Sequence, residues 1–322
     1  MNLEKFRREA KDFVEASCPT SMRRGVVHFE DIFEIYETPD AKSWRDAMAS
    51  RGWTAPTWPA EYGGGGLSHE FSQALAAEMA AIRAVPPEFG PGIVLVGPTL
   101  LEFGTETQRQ RHIPKIVSGE FRWCQGYSEP GAGSDLASLQ CKAVLEGDHF
   151  VINGQKIWTS GAHHADWMFA LVRTDPDVPK HEGISFVLLD MHQPGVTVRP
   201  IRLISGSSPF CETFFTDAVA RRDDLVGELN KGWGVSKKLL QFERAASSEQ
   251  RDENPYSIIA RQYLGGSGNR VSNSEVRDKI TRQTMLEKSL DLTVARVMEE
   301  SRSGNAPGAA ASIFKLVGSI IR

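Results

Sequence analysis

The sequence predicts an α+β multidomain chain in which a helical region, an all-β region and a second helical region follow one another. Three observations carry this. Apolar residues recur at helical spacing up to about residue 118, short β-rich stretches parted by turn residues occupy 119–226, and the helical period returns from 227. At 322 residues the chain exceeds a typical single domain, so boundaries are placed at 1–118, 119–226 and 227–322.

In the first region Leu3, Phe6, Ala10, Phe13 and Val14 fall on one helix face, and FSQALAAEMAAI (71–82) repeats the pattern. Pro and Gly in TAPTWPAEYGGGG (54–66) and VPPEFGPG (85–92) mark turns between helices. The run Gly63–Gly66 has no strand before it and no Lys-Ser/Thr after it, so it reads as a connecting loop and not a phosphate loop.

The middle region contains SLQCKAVLEGDHFVINGQKIWTSG (138–161), DWMFALVRTD (166–175), GISFVLLDM (183–191), VTVRPI (196–201) and CETFFTDAVA (211–220). Gly147-Asp148 and Asn153-Gly154 read as the turns of antiparallel hairpins. The third region has helical patterns at 233–249 and 273–301, with a helix and a Gly-rich connection expected at 254–270. The last segment, SIFKLVGSIIR, stops inside an amphipathic pattern with no cap. Either a partner covers its apolar face or the bundle is incomplete, and the second is favoured.

Composition narrows the function. There are 37 basic and 41 acidic residues in mixed order, and no Lys/Arg block suited to nucleic acid. Cys18, Cys124, Cys141 and Cys211 lie far apart without zinc-ligand spacing, and read as reduced thiols. The charged amphipathic N-terminus lacks a signal-peptide core, and no apolar run approaches the roughly 20 residues of a membrane span. The expected location is cytoplasmic.

Two segments carry chemistry: GYSEPGAGSDLAS (126–138) and INGQKIWTSGAHHADW (152–167). Gly131 and Gly133 let backbone N–H groups approach a ligand, while Tyr127, Ser128 and Ser134 offer hydroxyls. Trp158, followed by Thr159 and Ser160, provides an aromatic platform with donors beside it. Together these suit a flat heteroaromatic ring. Adjacent residues on a strand point to opposite faces and no acidic partner stands at ligand spacing, so His163 and His164 are not expected to share a metal and read as loop or strand-end residues.

Ser128-Glu129-Pro130-Gly131-Ala132-Gly133-Ser134-Asp135 and Asn153-Gly154-Gln155-Lys156-Ile157-Trp158-Thr159-Ser160-Gly161 resemble the paired signatures of the acyl-CoA dehydrogenase family. Weaker matches at 58–68, 97–116, 181–190 and 225–233 extend the likeness. The resemblance implies an N-terminal helical domain, a middle antiparallel β-barrel and a C-terminal helical bundle, with FAD between barrel and bundle. It places Tyr127, Ser128, Trp158 and Ser160 at the flavin, and Ser134 near the acyl-CoA phosphopantetheine. Thr159 stands where Ile is usual and is expected to point away from the flavin.

The implied reaction is α,β-dehydrogenation of an acyl-CoA, the α-proton going to a carboxylate and the β-hydride to flavin N5. The resemblance offers a Glu-Arg pair after the barrel, here Glu243-Arg244, as base and substrate contact; the other family position for the base lies beyond Arg322. Glu243 lies four residues after Leu239 and three after Leu240, on an apolar helix face. Glu249 and Glu212 are second choices. The family's Arg-x-x-Phe-Gly segment has no clean match, and Arg261 or Arg270 are the substitutes. Implied partners are an electron-transfer flavoprotein and other family subunits, in homo- or hetero-oligomers. Possible substrates include bulky or steroid-derived acyl-CoAs. The alternatives are a flavin monooxygenase or oxidase on the same fold, and a non-catalytic subunit completing a partner's flavin site.

Overall fold

The computed structural model describes residues 2–25, 27, 32–249, 271, 273–302 and 310–321. The chain divides into two compact units, Met1–Phe242 and Glu243–Arg322.

The first unit begins with helices that the sequence caps explicitly. Asn2 accepts from Lys5 N at the start of α1 (Leu3–Ser17), which buries Phe6, Ala10 and Val14. After the short α2 (Ile32–Tyr36), Thr38 caps α3 (Pro39–Ala49), with Pro39 in its first turn and Trp44 and Met48 buried. Ser68 caps α4 (His69–Ala81). These helices enclose a core of Phe6, Trp44, Met48, Trp53 and Leu75. A π turn over Gly92–Val96 leads into α5 (Gly97–Phe103), and a Thr105/Gln108 capping box opens α6 (Glu106–Val117). Gln108 Nε2 also donates to the carbonyls of Asp223 and Leu225, both at 2.8 Å.

Eight strands follow: β1 (Trp123–Gly126), β2 (Lys142–Glu146), β3 (His149–Ser160), β4 (Trp167–Arg173), β5 (Ile184–Asp190), β6 (Val196–Ile201), β7 (Phe210–Arg221) and β8 (Leu225–Val226). They form one sheet in the order β6-β7-β3-β2-β4-β5-β8, with β1 beside β4. Every residue of β4 is buried. Trp167, Phe169 and Leu171 face a core shared with α5 and α6, while Met168, Ala170 and Val172 face a second core with Phe150, Ile152 and Phe215. Coverage on both faces explains the unbroken apolar run of that strand.

Three expectations are corrected. The sheet is open, not a closed barrel: β6 and β8 are its two ends and share no ladder. β8 is only two residues long, and β6 carries Arg199 and Pro200 and stays partly exposed throughout, features that blunt an edge. Nor is pairing purely antiparallel, because β1 runs parallel to β4, and β2 meets β4 in parallel at the single pair Lys142↔Arg173. Finally, Gly147-Asp148 does turn the β2–β3 hairpin, but Asn153-Gly154 lies inside β3 at a bulge opposite β7. There Asn153 bonds the backbone and side chain of Asp217, each at 2.9 Å, instead of closing a turn.

Helix α7 (Gly232–Glu249) adds Val235 and Leu239 to the core under α5 and α6. In the second unit, helix Ser274–Arg302 packs with helix Ala310–Ile321; Leu290 and Val297 are buried, and Met285, Leu292 and Leu316 are exposed. The helix and Gly-rich connection expected at 254–270 lie outside the described residues. No described helix is long and apolar enough to cross a membrane, and all four cysteines are free and buried.

Candidate functional site

The two signature segments meet where the chain leaves β1 and runs beside β3. Residues 127–135 form a tight loop, closed by reciprocal backbone bonds between Glu129 and Ala132 of 3.0 Å each. A further bond, Ile157 N to Ser128 O at 2.9 Å, ties the loop to β3. Beneath it lies a buried ion pair. Lys156 is fully buried, and its Nζ donates to Glu129 Oε1 at 2.7 Å and to Tyr127 O at 3.1 Å. The same carboxylate accepts from the amides of Gln140 at 2.6 Å and Cys141 at 3.0 Å. Buried charge is tolerated when it is paired and its remaining hydrogen-bonding capacity is filled, which this arrangement achieves. Arg173 extends the network, donating to the carbonyls of Ala137 at 2.6 Å and Lys180 at 2.8 Å.

The second feature is a bulge. The register of β3 against β7 shifts between Lys156 and Thr159, and at that point Trp158 takes φ 60°. A large side chain in the left-handed region costs roughly 1–3 kcal/mol and persists only where its surroundings enforce it. The bulge turns Thr159 inward, where it is fully buried near Thr213, and leaves the Trp158 indole 56% exposed with Phe210 edge-on at 6.0 Å.

The other predicted residues are placed as follows. Ser128 and Ser160 are half-buried, on the two segments joined by the Ile157–Ser128 bond. The Tyr127 ring lies in the core, edge-on to Phe169 and Phe186, so outward-facing chemistry at this residue belongs to its backbone. Ser134 is exposed on the loop's outer side, and a Cβ on Gly131 or Gly133 would meet nothing within 4 Å. Glu243 is half-buried on α7. The side chains of Arg244 and Glu249, and all of Arg261 and Arg270, lie outside the described residues. Glu212 is engaged by Gln155 Nε2 at 2.9 Å.

His163 and His164 sit on a 3-10 turn just past the end of β3, as loop residues, and the turn brings their rings to 4.0 Å. His163 Nδ1 stands 3.1 Å from Cys211 Sγ, and His164 stacks on Phe33. Burial, then the neighbouring His164, holds the His163 imidazole below its ordinary pKa. Among the described residues no three His, Cys, Asp or Glu side chains are grouped to hold a metal.

A cavity of about 230 Å³ is lined by Phe33, Tyr36, Arg45, Glu88 and Trp123 together with Gly161 and His164 from the end of the second signature segment. Its Arg45–Glu88 ion pair is 3.2 Å long, and burial outweighs Arg45 in raising the Glu88 pKa. In the sequence Glu129 and Lys156 stand only as letters of the two motifs. Their opposite charges, 27 residues apart, were the available signal, but their burial against each other is a tertiary fact.

Residues 2–120 match the family description "Acyl-CoA dehydrogenase, N-terminal domain", and residues 124–218 match "Acyl-CoA dehydrogenase, middle domain". Acyl-CoA dehydrogenase FadE34 of Mycobacterium tuberculosis is 39% identical over 288 residues, covering 89% of this chain and 40% of that protein. Acyl-CoA dehydrogenase IpdE1 of the same organism is 46% identical over 209 residues, covering 65% of this chain and 54% of that protein. The chain thus spans about half the length of these curated relatives. Among solved structures, the Tcur3481-Tcur3483 steroid ACAD shares 30% identity at a TM-score of 0.75, over 99% of this chain and 81% of that one. The ChsE4-ChsE5 complex of Mycobacterium tuberculosis shares 29% identity at a TM-score of 0.72, also over 99% of this chain and 81% of that one. With both signature segments joined in one loop-and-strand site, and with these matches across its helical and β regions, the chain belongs to the acyl-CoA dehydrogenase family.

Proposed function

We propose that this chain serves FAD-dependent α,β-dehydrogenation of an acyl-CoA thioester. One observation carries the reading: Trp158 is held outward in a strained bulge of β3, on the two joined segments that also carry the half-buried residues Ser128 and Ser160. Strain of this kind collects at functional sites. An exposed indole beside hydroxyl and amide donors fits a flat heteroaromatic ring with carbonyl and nitrogen acceptors, so the residues present suit a flavin.

When bound, FAD supplies a two-electron acceptor for the β-hydride. Trp158 flanks the ring, while Ser128, Ser160 and the backbone at Tyr127 donate to its edge. Ser134, exposed on the open side of the loop, is assigned to the pantetheine arm. Glu243 takes the α-proton onto a carboxylate oxygen, and Arg244 contacts the substrate. One Cα–H and one Cβ–H bond break, and a C=C bond forms in conjugation with the thioester. General-base catalysis of this kind contributes about 10²–10⁴-fold.

Bulky or steroid-derived acyl-CoAs are the substrate class we favour, supported by the steroid ACAD among the structural relatives. An electron-transfer flavoprotein is the proposed acceptor, and the reaction is placed in the cytoplasm. Assembly with further family subunits is supported by the two-component naming of two of those relatives.

The test is an anaerobic titration of the FAD-loaded protein with straight-chain, branched and ring-bearing acyl-CoAs, alongside Glu243→Gln. Bleaching of the flavin band by one class, slowed roughly 10²–10⁴-fold in the variant with binding retained, is the expected result. Persistent colour with every thioester sinks the dehydrogenase reading. Undiminished bleaching in Glu243→Gln moves the base elsewhere.

A further inference from the structure

The peptide unit between Tyr127 and Ser128 has a charge at one end and an open donor at the other. Its carbonyl, Tyr127 O, accepts from the fully buried Lys156 Nζ at 3.1 Å. The chain contains no cis peptide bond among the described residues, so the N–H of Ser128 points opposite to that carbonyl across a planar amide. The Ser128 N–H has no acceptor among the described residues, while the Ser128 carbonyl is already taken by Ile157 N. A cation on an amide oxygen draws electron density from the nitrogen and strengthens the opposite N–H as a donor. Inside a protein such polarisation is larger than in water, because the local dielectric is low.

We propose that Lys156 is a positioning and polarising residue: it acts through the Tyr127–Ser128 peptide to aim a strengthened Ser128 N–H at the flavin, and so raises the flavin's midpoint potential. Glu129 is the counterweight. Its carboxylate, 2.7 Å from Lys156 Nζ, holds the lysine in place and offsets part of its field. The inference rests on the flavin reading above. It adds that the buried pair, which touches neither cofactor nor substrate, sets how easily the cofactor is reduced.

The pair predicts opposite signs for its two members. Lys156→Met removes the cation and is expected to make the midpoint potential more negative and to weaken FAD binding about tenfold or more, the effect of about 1.4 kcal/mol. Glu129→Gln leaves the cation less compensated and is expected to make the potential more positive. A clip with only a structural role would shift both variants the same way, or neither, and that result overturns the proposal.

The measurement is a spectroscopic redox titration of the FAD-loaded full chain for wild type and both variants. Wild-type protein that takes up no FAD overturns the functional reading and this inference together. Wild type that binds FAD, with unchanged potentials in the variants, overturns the inference alone.

Should neither variant fold, the wild-type amide decides. Carbonyl-labelled Tyr with nitrogen-labelled Ser reports two amides only, Tyr127-Ser128 and Tyr256-Ser257. Addition of FAD is expected to move the Ser128 amide proton downfield and to slow its exchange. An unmoved Ser128 signal with FAD bound rules the donor out.

Discussion

The imidazole of His112 stands edge-on to the indole of Trp167, with ring centroids 4.8 Å apart and planes at 77°. Trp123 meets the same ring at 5.2 Å, and His112 is fully buried. Neither ring nitrogen has a hydrogen-bond partner among the described residues. Burial, followed by the nearby Arg111 and Lys115, lowers its pKa to about 3. The unfolded chain therefore binds a proton near pH 6.5 that the folded chain refuses. This contribution to stability is complete above pH 6.5 and is lost as pH falls toward 3. By pH 5 the loss amounts to roughly 2 kcal/mol. His112→Phe, which keeps the ring packing, is expected to flatten the Tm profile between pH 7.5 and 5. An equal slope in wild type and variant would show that His112 is not the group that titrates.

Trp158 exchanges stability for presentation. Its indole is mostly exposed and its backbone is left-handed, so Trp158→Gly relieves strain while removing the platform. The FAD-free variant is expected to melt at or above the wild-type temperature, by up to about 1 kcal/mol in stability. Its affinity for FAD is expected to fall at least tenfold, as read by flavin fluorescence. Reduced stability with unchanged affinity would assign the residue to packing.

Gly154 brings β3 against Cys141 so closely that an added Cβ would lie 2.7 Å from Cys141 Cα. With φ at 149° the conformation is also unfavourable for any L side chain. Gly154→Ala is expected to cost roughly 2–5 kcal/mol. Gly147→Ala, at φ 64° but in open space, should cost only about 1 kcal/mol. Denaturant melts of the two variants compare the values directly, and equal costs would refute the close-approach argument.

Gln108 joins α6 to the end of the sheet through two 2.8 Å bonds to Asp223 O and Leu225 O. Gln108→Ala leaves both carbonyls unmatched and removes half of the capping box, a loss of about 2–4 kcal/mol. Hydrogen exchange should then accelerate at both α6 and β8. Acceleration confined to α6 would mean the two elements are held together by other contacts.

What the sequence determined by itself is local or repetitive. The caps at Asn2, Thr38, Ser68 and Thr105, the apolar face Phe6–Ala10–Val14 and the turn at Gly147-Asp148 follow from short-range chemistry. The two signature segments were legible because their spacing is itself the signal. Tertiary structure decided the rest. Asn153-Gly154 has the letters of a hairpin turn, yet partners on β7 absorb Asn153 and the crowding at Cys141 demands Gly154, so the strand bulges and runs on. Barrel or open sheet depended on whether β6 and β8 met, which no local pattern encodes. The pairing of Glu129 with Lys156 is likewise non-local. Each residue alone reads as a solvated charge, and only the fold removes the water between them and makes the pair worth its burial.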